Sequence, residues 1–144
     1  MSKYDKIKLE NQLCFPLYAL SREIIKLYQP ILSKYNLTYT QYIVMLVMWE
    51  EEKINFKALG NKLHLDSGTL TPVVKKLDAM GLIIKYRSKE DDRVVTVELT
   101  EKGKQLKDDI LEVPDKLFCN FKGDKEKLVM FKTQLDDLLS LLEE

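Results

Sequence analysis

Apolar positions fall into two regimes along this chain. At both ends they recur at steps of three and four. The first seam runs through Leu13, Leu17, Leu20, Ile24, Leu27 and Ile31, the second through Leu128, Phe131, Leu135, Leu138 and Leu142. That spacing lines up one stripe of an α-helix and suits packing lengthwise on other helices. Between the seams the helical runs are shorter and punctuated. Thr38 with Gln41 forms a capping box ahead of a helix from Tyr39 to about Glu51. Asn55 caps Phe56–Leu63, and Asp66 or Ser67 caps a helix that ends at Asp78-Ala79-Met80, with Gly81 as the left-handed residue beyond it. Pro72 is cheap in that helix because the early amides have no helical acceptor. The period then changes. Leu82–Arg87 and Val94–Leu99 are β-branched runs that predict strands, and Ser88–Arg93 between them is a charged turn with no apolar anchor. Thr100 caps a helix from Glu101 past Pro114, where a kink is expected, and Asp124 after Gly123 caps the last helix.

Helix, helix and two-stranded ribbon, in that order, predict a mainly α fold with a small β wing, the winged helix-turn-helix. A small α+β domain with a purely structural hairpin is the blander alternative. The Leu65–Leu77 segment favours the first. Ser67, Thr69 and Thr71 put hydroxyls at the front of its helix, and Lys75 and Lys76 add charge a turn later. A helix front of that kind suits a DNA groove and its phosphates. The two terminal seams are more than one winged unit needs. The economical expectation is a homodimer whose terminal helices interlock, residues 1–36 and 108–144 dimerising while 37–107 bind DNA; an intramolecular bundle would use the same seams.

Composition changes this picture in three ways. The 144 residues suffice for one domain with its own core, and the formal net charge is zero. That zero hides an asymmetry, since residues 57–107 hold 11 Lys and Arg against 7 Asp and Glu, whereas 108–144 hold 5 against 10. A basic middle and an acidic tail allow one face to meet phosphate. The chain has no long apolar run, signal-peptide pattern or lipidation motif, so a cytoplasmic protein with no membrane partner is expected. His64 is the single histidine and has no cluster at ligand spacing, which argues against a metal and puts it near the backbone or on the surface. No other cofactor is implied.

The candidate chemistry is a thiol. Cys14 stands near the start of the first helix, where the dipole favours thiolate, the form that attacks peroxides. Tyr18 is four residues on and shares its face, so its hydroxyl is within range to donate to the sulfur. Taken alone, a cysteine in an apolar helix is more often an inert core residue.

Its context carries a resemblance. Leu9-Glu10-Asn11-Gln12-Leu13-Cys14-Phe15, Leu37-Thr38-Tyr39-Thr40-Gln41-Tyr42, Leu65–Pro72, and Asp91-Asp92-Arg93 followed by Leu99-Thr100-Glu101-Lys102-Gly103 together resemble the MarR-type winged-helix repressors. Within them the match is to the OhrR group of organic hydroperoxide sensors, over nearly the whole length. The resemblance implies that Cys14 is oxidised first to a sulfenic acid. It also implies that Tyr18 and Tyr28 of the other subunit hold the reduced sulfur, with Tyr39 near the pocket. Tyr28 lies 14 residues beyond Cys14, about 21 Å along a helix at about 1.5 Å per residue. It therefore cannot touch the cysteine of its own helix, and reaches one only across antiparallel first helices. Cys119 matches the second cysteine of the two-cysteine subtype, which resolves the sulfenic acid as an intersubunit disulfide; the alternative is an incidental buried thiol. On the DNA side the resemblance maps base and backbone contacts onto Ser67, Thr69, Thr71, Lys75 and Lys76. It makes Arg93 the wing-tip arginine of the minor groove and Asp91 the carboxylate that orients it. Arg87 and Lys89 are candidates for phosphate contacts. The operator expected is an inverted repeat.

Two other functions use the same residues. A small phenolic ligand in a dimer crevice would release DNA with Cys14 a bystander. A peroxidatic enzyme would turn over at Cys14, but the chain carries no Cys-x-x-Cys or Cys/His pairing, and the winged element would be unexplained. A repressor rather than an enzyme is the expectation.

Overall fold

The computed structural model describes residues 1–143. Two short 3-10 turns, Lys3–Ile7 and Leu9–Asn11, lead into α1 (Cys14–Ser33). Then follow α2 (Tyr39–Glu51), β1 (Lys53–Asn55), α3 (Phe56–Leu63), α4 (Ser67–Ala79), β2 (Ile83–Arg87) and β3 (Val95–Leu99). The chain closes with α5 (Glu101–Asp109), α6 (Glu112–Phe118) and α7 (Lys125–Leu142). Helices α2, α3, α4, α5 and α7 start where a short polar side chain satisfies a free amide, whereas α1 and α6 have no such cap. Thr38 and Gln41 complete the capping box. Asn55, Asp66, Thr100 and Asp124 each accept a first-turn N–H, so Asp66 rather than Ser67 is the cap of α4. Gly81 takes φ +76° after α4.

The sheet holds one strand more than the ribbon read from the sequence. Its order is β1-β3-β2, all antiparallel, with Ile54 and Lys85 flanking Val97 on either side. Three residues are too few to announce a strand by periodicity, and β1 exists because β3 offers it an edge. The core lies beneath this sheet. Val44, Met45 and Met48 of α2, Leu59 of α3, and Leu70, Val74 and Leu77 of α4 pack with Ile83 and Val97, all fully buried. Leu70, Val74 and Leu77 recur at steps of four and three, which fixes the opposite face of α4 toward solvent.

The expected kink at Pro114 is a break, and it falls earlier. Proline lacks an N–H and its ring crowds the carbonyl four residues back, here that of Ile110. Helix α5 accordingly stops at Asp109, and Val113 N–H, 3.0 Å away, takes over the Ile110 carbonyl before α6 starts its own path. Tyr35, at the end of the first helical hairpin, ties this junction down. Its hydroxyl lies within hydrogen-bond reach of two acceptors, the Asp109 carbonyl and the carboxylate of Glu112, which also pairs with Lys34 and Lys116.

The terminal seams are not covered. Helix α7 buries no residue and α1 buries only Leu32. Leu13 keeps 77% of its surface exposed and Leu142 keeps 78%. No helix of the described residues is long and apolar enough to cross a membrane.

Candidate functional site

Two sites emerge, one on α4 and the wing, the other between the terminal helices. On α4 the buried stripe leaves Ser67, Thr69, Thr71, Lys75 and Lys76 all exposed on the outer side. Asp66 is locked by the backbone N–H of Thr69, 2.7 Å from its Oδ1, and that bond holds its carboxyl below the ordinary carboxylate range. The Thr71 hydroxyl donates back to the Ser67 carbonyl at 2.6 Å, so only its lone pairs remain for another donor. The α3–α4 turn is tight for a reason of space. A Cβ on Gly60 would stand 2.8 Å from the Leu65 carbonyl oxygen.

The wing extends from β2 and β3 and closes with Ser88 N–H on the Val94 carbonyl. Asp91 accepts from the backbone N–H of Arg93 at 3.0 Å and from its Nε at 3.2 Å, and these bonds draw its carboxyl below the usual range. The Arg93 side chain is 92% exposed despite this pairing. A carboxylate at the base of an otherwise free guanidinium sets its direction without withdrawing it from a partner. Arg87 donates to the Asp92 carbonyl at 2.7 Å and braces the turn from inside, while Lys89 stands exposed on it.

Cys14 is the first residue of α1, exposed and unpaired. The proline two residues on sits within the first turn, so α1 starts without losing a helical hydrogen bond. Beside the sulfur runs a groove of about 310 Å³ between the two seams, walled by Pro16, Leu17, Leu20, Phe131, Leu135 and Leu138. A second hollow of about 340 Å³ continues it toward Tyr39. Both are apolar.

The tyrosines divide into two groups. Tyr18 is exposed, and within its own chain the hydroxyl does not meet the cysteine; it accepts from Arg22 Nη1 at 2.9 Å, with the guanidinium 5.6 Å from the ring centre. Tyr28 and Tyr39 meet as tilted rings, 4.8 Å between centroids and 49° between planes, and Tyr42 joins Tyr28 at 5.8 Å. Burial, then the neighbouring phenols of Tyr39 and Tyr42, push the Tyr28 hydroxyl up to about 12, keeping it a donor. Tyr42 and Arg22 were not among the residues singled out from sequence. The signals available were the i, i+3 spacing of Tyr39 with Tyr42 and the i, i+4 spacing of Tyr18 with Arg22.

Cys119 caps α6, exposed, with its N–H on the Asp115 carbonyl. His64 ends α3 in the left-handed region at φ 55° and pairs, half-exposed, with Glu143 at 3.1 Å. Among the described residues no group of three His, Cys, Asp or Glu is placed to hold a metal.

Comparison with known proteins bears on both sites. The family described as transcriptional regulator SarA/Rot matches residues 26–110. The organic hydroperoxide resistance transcriptional regulator of Bacillus subtilis (strain 168) is 47% identical over 141 residues, 98% of this chain and 96% of that protein. Among solved structures, reduced AbfR bound to DNA superposes with a TM-score of 0.78 at 33% identity, over 97% of both chains. AbfR, a Staphylococcus epidermidis protein, has also been solved in a disulfide-formed state. That state superposes at 0.66 with 31% identity, over 95% of this chain and 96% of the other.

Proposed function

The chain belongs to the SarA/Rot family of winged-helix transcriptional regulators and is OhrR-like, and from that footing we propose that it is a repressor released from DNA by thiol oxidation. The observation that carries this reading is the position of Cys14, an exposed thiol at the first residue of α1 in an apolar groove between the two uncovered seams. A homodimer that covers those seams puts the sulfur at the joint of its two halves.

The chemistry follows from the residues. The Cys14 thiolate attacks the terminal oxygen of an organic hydroperoxide; the S–O bond forms as the O–O bond breaks. Sulfur is oxidised to the sulfenic acid, and the alkoxide takes a proton and leaves as the alcohol. The apolar walls of the groove favour a hydroperoxide with a hydrocarbon body. The thiolate of Cys119 in the partner subunit then attacks the sulfenic sulfur, an S–S bond forms, and hydroxide leaves as water. Cys14 and Cys119 belong to α1 and α6, so the bond pulls on the terminal helices and changes the spacing of the two α4 helices. Specific binding exceeds non-specific binding by roughly 4–10 kcal/mol, and losing one half-site removes a large share of that. AbfR has been solved both reduced on DNA and in a disulfide-formed state, and the two differ in their likeness to this chain.

On the DNA, Ser67, Thr69, Thr71, Lys75 and Lys76 of α4 meet the major groove of each half-site. Arg93, aimed by Asp91, enters the minor groove, while Arg87 and Lys89 flank the phosphates.

A gel-shift titration tests the reading, using a duplex selected from a random pool by the reduced protein. Cumene hydroperoxide releases the wild type, and Cys14→Ser stays bound at every concentration. Release of Cys14→Ser like the wild type overturns the redox assignment. Release by a phenol in the presence of reductant would move the trigger to a bound ligand.

A further inference from the structure

Among the described residues Arg22 has no carboxylate partner; its hydrogen bond goes to the Tyr18 hydroxyl at 2.9 Å, and its guanidinium lies over the same ring, 5.6 Å from its centre. That is an unusual use of an exposed arginine on a helix surface that also offers Glu23, which pairs instead with Lys26 at 3.4 Å. A phenol oxygen that accepts from a cation keeps its own proton for donation. It also donates more strongly, because the two hydrogen bonds polarise one another.

Spacing fixes where that proton is delivered. Tyr18 and Tyr28 are ten residues apart on α1, about 15 Å along the helix at about 1.5 Å per residue. If both hydroxyls serve one sulfur of the partner subunit, that sulfur lies level with the midpoint, residue 23. Each hydroxyl then covers about 7.5 Å of axial distance, more than a tyrosine side chain spans alone and within reach once the hydrogen bond of about 3 Å is added. Arg22 is therefore beside the sulfur's level, one hydrogen bond removed from it. Among the described residues, the lining of the groove beside the thiol contains no lysine or arginine. Helix α7 presents Phe131, Gln134, Leu135 and Leu138 to the groove, while Lys8 and Glu10 of the N-terminal arm line a different hollow with Phe15 and Pro16.

We propose that Arg22 is a positioning residue for the thiol switch: it fixes the Tyr18 hydroxyl and strengthens its hydrogen bond to the thiolate of Cys14 in the partner subunit. The proposal rests on the peroxide-sensing reading and deepens it. Removing the cation weakens the donor, so the thiolate becomes scarcer at neutral pH and reacts more slowly.

The test measures the rate of Cys14 alkylation by iodoacetamide against pH in a Cys119→Ser background, with cumene hydroperoxide oxidation alongside. Arg22→Gln is expected to move the alkylation profile to higher pH and to slow oxidation near neutrality by about tenfold, the effect of one unit on a titrating thiol. Arg22→Lys, which keeps the charge, is expected to retain most of the wild-type profile. Sedimentation and circular dichroism on each variant establish that the dimer and fold persist. If Arg22→Gln is folded, dimeric and alkylated with the wild-type pH profile, the inference is wrong while peroxide sensing stands. If wild-type Cys14 itself ignores hydroperoxide, the functional reading is wrong, whatever Arg22 does to alkylation.

Discussion

Trp49 donates its indole N–H to the carbonyl oxygen of Gly103 across 2.9 Å, joining the end of α2 to the first turn of α5. The same glycine lies against the chain that enters β2. A Cβ at position 103 would stand 2.3 Å from the Leu82 carbonyl oxygen and 2.6 Å from a Leu99 methyl. The first of these contacts is with backbone, which cannot swing aside. Gly103→Ala is therefore expected to force α5 away from the wing base, loosening the indole hydrogen bond as it does so. A loss of about 1–3 kcal/mol is the usual scale for overpacking, and urea denaturation followed by Trp49 fluorescence measures it. A variant as stable as the wild type would mean that α5 is free to slide.

Glu112 supplies a pH signature. The Tyr35 hydroxyl, then Lys34 and Lys116, hold its carboxyl down to about 2. Its folded value is thus below its unfolded one. The contribution is complete above about pH 4.5, the ordinary range of a free glutamate, and is lost as pH falls toward 2. Glu112→Gln is expected to lower stability at neutral pH and to flatten the acid limb between those limits, so that variant and wild type converge toward pH 2. The measurement is the urea midpoint at several acidic pH values, and an unaltered slope would show that another carboxylate governs acid unfolding.

Local chemistry is what a sequence exposes best, and this chain follows that division. Each cap at Thr38, Asn55, Asp66, Thr100 and Asp124 involves neighbours within three residues, so spacing alone was enough. The amphipathic seams were legible for the same reason. Strand β1 was not, because Lys53–Asn55 becomes a strand only through β3, more than 40 residues away. Pro114 was visible, but its steric effect lands on the Ile110 carbonyl, which turned an expected kink into a break upstream. The Tyr35–Glu112 contact spans 77 residues and has no local trace. In the site, residue types and helical faces were readable, whereas Arg22 looked like any solvated charge until its hydroxyl partner was located.

The wing yields a test of DNA recognition. Arg93 is nearly fully exposed yet aimed by Asp91. Arg93→Ala is expected to weaken operator binding by about 1–3 kcal/mol, chiefly on sequences that are AT-rich under the wing. Lys75→Ala is expected to act differently if its contact is with phosphate. It would weaken all sequences alike and lower the salt slope by about one unit. Asp91→Ala should reproduce part of the Arg93 defect without removing a positive charge. Equal losses on every sequence for all three variants would show that the wing only adds charge.

Cys119 distinguishes two ways of completing the redox cycle. It closes α6, just past the α5–α6 break that Pro114 imposes, and it is exposed. An exposed thiol on a short helix beyond a break can travel to a sulfenic acid on α1 of a partner at less cost than one buried in the core. Oxidised wild type is therefore expected to run as a covalent dimer on a non-reducing gel. Cys119→Ser is expected to run as a monomer whose Cys14 traps a sulfenic-acid reagent such as dimedone. In the absence of added thiol, Cys119→Ser should oxidise at the wild-type rate but remain on DNA longer, since the sulfenic acid alone does not drag α6. Over-oxidation should also rise, because nothing within the dimer removes the sulfenic acid before a second peroxide arrives. If Cys119→Ser forms the same covalent dimer, the bond is between two Cys14 residues. The terminal helices would then have to meet at their N-terminal ends, a packing incompatible with Tyr18 and Tyr28 sharing one sulfur.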